Sequence, residues 1–149
     1  MTRINALMCD AISEDIGSVV LREVDMPAPG PGQVRVRLKA CAVNFPDLLM
    51  IQGKYQFKPP LPFAPGGEAA GDVEVCGPGV SVKEGDAVII SMRYGGFAEA
   101  VVVDESQLKP LPKGMDYAKA ARYQTAYLTA YVPLYRRGDL QPGKHLLRH

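Results

Sequence analysis

Residues 38–49, LKACAVNFPDLL, place an uncharged amide, Asn44, where an alternating strand breaks into a Pro-containing turn. An amide donates and accepts at once, so at a strand end beside a cleft it could hold a ribose or a carbonyl while staying neutral. Residue type alone favours the plainer reading, in which Asn44 caps the following turn. Asp47 reads as a first-turn helix residue, where a carboxylate meets the positive end of the dipole. Tyr55 follows Gly53-Lys54 on a loop; its phenol could reach a substrate oxygen or lie on the surface as an amphipathic aromatic, and residue type leaves the two even. Glu68 stands between Gly66-Gly67 and Ala69-Ala70-Gly71, neighbours too small to screen it. The expectation is a buried acid that accepts backbone N–H groups. Cys41, inside the alternating run, reads as a small buried thiol.

Other chemistries lack their residues. The two histidines, His145 and His149, both fall at the end of the sequence, which leaves no His base or zinc triad in its body. GxSxG, HExxH and GxxxxGK[ST] are missing, so nucleophilic, metalloprotease and P-loop readings have no support. Three cysteines (Cys9, Cys41 and Cys76) without a CxxC pair argue against a disulfide framework and a structural zinc, and imply reduced thiols in the cytoplasm. A net charge of +1 with 22% charged residues gives no single-sign field for nucleic acid. No apolar run has the length of a membrane span, and no basic-then-apolar leader opens the sequence.

The elements that must position these groups are mostly strands. Of thirteen prolines and fifteen glycines, eleven and twelve fall in the first three-quarters and cut it into short pieces, and the 149 residues with 47% hydrophobic content suit one core. Residues 4–9 and 19–24 read as a hairpin split by SEDIGS. Residues 33–43 alternate Val34, Val36, Leu38 with Arg35, Arg37, Lys39, the period of a strand with one buried face. PDLLMIQG predicts one or two helical turns, entered at Pro46 and stopped at Gly53. Two apolar strands flank CGPGVSVKEGD, another is expected over residues 95–103, and a short one over 108–111. Asp116 caps a helix, and residues 125–137 give a second helical stretch ended by Gly138. Many short strands with Gly/Pro turns imply a barrel or sandwich.

Taken in order, PGPGQVRVRLKACAVNFPDLLMIQGKY, PPLPFAPGGEAAGDVEVCGPGVSVKEGDAV, GGFAEAVVV and TAYLTAYVPL followed by LQPGKHLL resemble the N-terminal GroES-like catalytic domain of medium-chain dehydrogenases/reductases. The nearest branch is that of the zinc-independent quinone oxidoreductases. The resemblance implies a mainly β fold with short helices, a partly open GroES-like barrel, a C-terminal linker helix and no Rossmann domain in the sequence. Residues 1–124 would form the substrate-side domain, and residues 125–149 the connecting helix and first strand of a nucleotide-binding domain. Zinc relatives carry a Cys where Asn44 stands and a His where Gly67 stands, so no metal is implied. By the same resemblance Asn44 lies beside the nicotinamide and ribose of NADPH, Tyr55 reaches the substrate, and Thr129 approaches the cofactor. The implied activity is hydride transfer from NADPH to a quinone or enone. The sequence ends at GKHLLRH, where the resemblance expects a Gly-rich turn, so the expectation is a fragment with little activity alone. Two alternatives stay open: a non-catalytic GroES-like binding or assembly module, with a homo-oligomer as one assembly, and an enoyl-thioester reductase fragment.

Overall fold

The computed structural model describes residues 2–146. Strands β1 (Thr2–Cys9) and β2 (Val19–Met26) pair antiparallel from Thr2↔Met26 to Cys9↔Val19, the hairpin expected from the sequence. In the turn between them the Asp15 carboxylate accepts the Gly17 N–H at 2.9 Å and holds a 3-10 turn over Ile16–Ser18. A second sheet has the order β6-β3-β4-β5-β7, with every neighbour antiparallel. Its strands are β3 (Gln33–Cys41), β4 (Glu68–Cys76), β5 (Ala87–Ser91), β6 (Ala100–Asp104) and β7 (Leu108–Pro110). The barrel is left open. Backbone bonds between Cys9 and Phe63, 2.8 and 3.1 Å, and from the Leu7 N–H to the Phe97 carbonyl, 2.8 Å, tie the hairpin to the loops of the larger sheet.

The alternation in β3 decides its faces. Val34 and Val36 are fully buried with Val73, Val88, Ile90 and Val103, whereas Arg35 and Arg37 share Glu74 across the β3–β4 pair. Two register shifts interrupt that pairing, one between Arg35 and Val36 and one between Leu38 and Ala40. At the second, the backbones come so close that a Cβ on Gly71 would lie 2.1 Å from the Arg37 carbonyl oxygen. Only glycine fits there.

Helix α1 (Phe45–Ile51) follows the PDLLMIQG reading, and Gly53 leaves it at φ 67°. Helix α2 (Tyr117–Tyr131) begins at Asp116, whose carboxylate accepts the Lys119 N–H at 2.8 Å. It packs through Ala120 and Ala121, both buried, on Ala70 and Ile89 of the sheet. The two helical stretches expected on either side of residue 125 are one helix. The interruption falls later, at a π-helical turn over Val132–Arg137, because Pro133 has no N–H to donate back along the helix. Gly138 ends it, as expected.

The strand expected over residues 95–103 is shorter. Its first part is taken by the Pro-rich loop: the N–H groups of Gly95, Gly96 and Phe97 donate to the carbonyls of Ala64, Gly66 and Pro65 at 2.7 to 2.9 Å. Residues 144–146 have no regular secondary structure, and the remainder of the expected nucleotide-domain strand lies outside the described residues, as does His149. No helix among the described residues is long and apolar enough to cross a membrane.

Candidate functional site

Strand β3 delivers the chain to Asn44, which stands at the N-cap of α1 in extended conformation, φ −117° and ψ 156°. The cap is reciprocal. The Asp47 carboxylate accepts the Asn44 N–H at 2.7 Å, while the Asn44 carbonyl accepts the Asp47 N–H at 3.0 Å. The second oxygen of Asp47 accepts the Gly66 N–H at 3.1 Å. One buried carboxylate therefore fastens the start of α1 to the loop of residues 61–67. Burial pushes the Asp47 carboxyl above its ordinary range, against the pull of the N–H groups of Asn44, Gly66 and Gly67.

A cavity of about 430 Å³ opens above this clasp, lined by Asn44, Asp47, Tyr55, Gly67, Arg93 and Thr125 among others. Its apolar surface comes from Pro46, Met50, Phe57 and Met92. The Met92 N–H donates to the Gly67 carbonyl at 2.9 Å, which fixes the segment that carries Arg93. Tyr55 packs at the edge of the buried cluster of Cys9, Met50, Ile51 and Phe63. The cleft thus offers neutral donors in Asn44, Tyr55 and Gln56, one cation, and no free carboxylate.

Glu68 lies directly beneath as the first residue of β4, 2% exposed, and accepts the Thr125 N–H at 2.9 Å. That is the backbone-accepting role expected of it; its other oxygen has no partner among the described residues. Cys41 presses on Gly66 and Gly96, where an added Cβ would meet its sulfur at 2.9 and 2.7 Å. Burial, then the charge of Asp47, pushes its thiol up to about 12, so it stays protonated and inert.

Of the residues singled out in the sequence, Asn44 and Tyr55 meet in the cleft. Asn44 is both cap-position residue and cleft residue, so its two readings are compatible. Thr129 is exposed on α2, one helical turn beyond Thr125, and it is Thr125 that lines the cavity. Arg93, Met92 and Phe57 carried no sequence signal beyond residue type. The nearest available hint was an arginine leaving the apolar strand AVII just ahead of Gly95-Gly96.

The fold and site define a small mainly β domain with an open, polar-rimmed cleft between a short helix and a Pro/Gly-rich loop. The chain belongs to the alcohol dehydrogenase GroES-like domain family, whose description matches residues 30–113. It is 47% identical over 124 residues to the human synaptic vesicle membrane protein VAT-1 homolog, covering 83% of this chain and 32% of that protein. It is 38% identical over 144 residues to a quinone oxidoreductase-like protein 2 homolog of Nematostella vectensis, covering 95% and 39%. Among solved structures, a probable oxidoreductase from Mycobacterium abscessus superposes with a TM-score of 0.87 at 38% identity, over 96% of this chain and 46% of that one. A mycobacterial protein determined in complex with NADPH superposes with a TM-score of 0.77 at 28% identity, over 94% and 43%. The chain therefore covers less than half the length of each of these proteins, from 32% to 46%. The expected resemblance to medium-chain dehydrogenases/reductases holds at the level of fold and family.

Proposed function

We propose that this chain forms the substrate-side wall of a hydride-transfer cleft in a zinc-independent, NADPH-dependent reductase of quinones or enones. The observation that carries the reading is the cavity that joins Asn44 and Tyr55 and lacks a free acid or base. Reduction of an electron-poor carbonyl needs alignment and oxyanion stabilisation more than proton transfer. Neutral donors on one side and Met50, Met92 and Phe57 on the other suit that task.

The donor set does not fit zinc. Gly67 has no side chain, the Cys41 thiol is held protonated, and Asp47 already accepts two backbone N–H groups. It does fit the nicotinamide end of NADPH, which supplies the hydride when bound. Asn44 would hold the ribose or carboxamide, and Tyr55 would donate to the oxygen of the acceptor as negative charge develops there. Thr129 remains an assignment by resemblance, and Thr125 stands nearer the cleft. The described residues provide no Gly-rich turn at a helix N-terminus for a pyrophosphate.

Joining the chain to the nucleotide-binding half of a quinone oxidoreductase tests this reading. The chimaera is expected to oxidise NADPH with 9,10-phenanthrenequinone, to ignore EDTA, to lose roughly 10²-fold in kcat in Y55F, the scale for an oxyanion donor, and to bind NADPH more weakly in N44A. A folded chimaera that binds NADPH and turns nothing over would overturn it. The chain alone is expected to fall far below the roughly 1–10³ s⁻¹ of ordinary enzymes. An assembly module is the second reading, favoured by the exposed apolar face of α2.

A further inference from the structure

Arg93 has no part in the hydride-transfer reading, yet its surroundings are built. Its guanidinium carbon sits 4.7 Å from the centre of the Phe57 ring. Phe57 stacks on Tyr94 at 6.0 Å, and Tyr94 meets the buried Phe63 edge-on at 6.1 Å. A ladder of three aromatic rings thus anchors the cation to the core. Hydrogen bonds fix the backbone on both sides, from Met92 to Gly67 and from Gly95 to Ala64. Among the described residues Arg93, like Arg122, Arg136 and Arg137 of the C-terminal helical segment, makes no ion pair, whereas the arginines of the sheets, Arg3, Arg22, Arg35 and Arg37, all do. The one carboxylate in the cavity lining, Asp47, is buried and occupied by N–H groups. Arg93 therefore has no ion-pair partner at the rim of a cavity whose remaining polar side chains, apart from the buried and N–H-bonded Asp47, are the uncharged Asn44, Tyr55, Gln56 and Thr125.

We propose that Arg93 selects acceptors that carry a carboxylate at the end opposite the reducible carbonyl, an inference that rests on the hydride-transfer reading. The cation–π contact with Phe57 places the guanidinium at the rim while leaving its N–H donors free to receive a carboxylate. The carbonyl end lies with Asn44 and Tyr55, the apolar body against Met50 and Met92, and the carboxylate at Arg93. A cavity of about 430 Å³ accommodates a one-ring compound of that kind.

The probes are 4-acetylbenzoate and 4-acetylbenzamide, which differ in charge but hardly in shape, titrated into the chain by NMR. The carboxylate is expected to bind about five- to tenfold tighter, with shifts at Asn44, Tyr55 and Arg93. R93Q, checked for an unchanged fold by its amide spectrum, is expected to erase the difference between the two ligands. In the unaltered chain 0.5 M NaCl is expected to shrink the same difference, since the guanidinium is exposed. Equal binding of both ligands, each weakened by N44A, would overturn the Arg93 assignment and leave the hydride-transfer reading standing. A preference that survives R93Q would also overturn it. Inorganic phosphate bound through Arg93 more tightly than 4-acetylbenzoate would move the anion to the cofactor and overturn the carboxylate assignment. Binding of neither ligand at the cleft would overturn the Arg93 assignment, while turnover of the quinone by the chimaera decides the hydride-transfer reading separately.

Discussion

Asp47 shows how one side chain makes a cleft. It is 2% exposed and accepts N–H groups from Asn44, three residues past the end of β3, and from Gly66, nineteen positions away. D47A leaves those donors buried without acceptors, at about 1–3 kcal/mol for each hydrogen bond to a charged group. The expected loss is about 3 kcal/mol by urea denaturation, with D47N milder because one acceptor oxygen survives. The sequence made Asp47 a first-turn helix residue and nothing more, since the partner that gives it a second role is distant along the chain. Glu68 was legible for the opposite reason. Its small neighbours in GGEAAG announce that only backbone can approach it, and the Thr125 N–H does so.

At the scale of elements, the β3–β4 pair carries the domain, held on its outer face by Arg35 and Arg37 on Glu74 at 2.7 and 2.6 Å. The hydrogen bond from Arg37, aided by Arg35, holds the Glu74 carboxyl below its ordinary 4.5 despite partial burial. A carboxylate with a depressed folded pKa stabilises above its unfolded value and loses that stabilisation as pH falls through the folded one. E74Q should therefore lower stability by about 1 kcal/mol at pH 7, a figure set by the partly exposed geometry. In parallel urea titrations the gap to the unaltered chain should stay level down to about the unfolded value and close below it. Gly71 gives the steric counterpart. G71A would force a Cβ to 2.1 Å from Arg37 O and 2.9 Å from Leu38 Cα, and is expected to cost about 3 kcal/mol or more. G30A, whose nearest contact is the Gln33 side chain at 3.4 Å, should cost under about 1 kcal/mol by the same measurement.

The whole molecule leaves one face uncovered. Tyr123 stacks on Tyr127 at 4.6 Å and Tyr131 on Tyr135 at 5.2 Å, and Tyr127, Leu128 and Tyr135 are each more than half exposed. Apolar surface gathered along one helix favours association. Sedimentation velocity of the chain should show an apparent mass that rises above 16.1 kDa with concentration and returns toward it in the Y127S/Y131S double variant. A strictly monomeric chain at all concentrations would remove the support for an assembly module.

The sequence by itself determined the strand-rich class, the β1–β2 hairpin, the buried face of β3, the start of α1 at Asn44 and the role of Glu68. Each follows from residue type, alternation or turn chemistry within a few positions, and the ordered motifs added the family. Tertiary structure alone decided that α2 is continuous through residue 125 to Tyr131, that residues 95–97 bond to the Pro-rich loop before β6 begins, and that Thr125 faces the cleft. It also brought Arg93 onto Phe57 and Asp47 onto Gly66. These depend on which backbone groups meet across long sequence separations, and no local period or propensity encodes such meetings. Asn44 marks the boundary between the two: its place in the chain was readable, while the cavity it faces exists only because β3, α1 and the loop of residues 61–67 converge there.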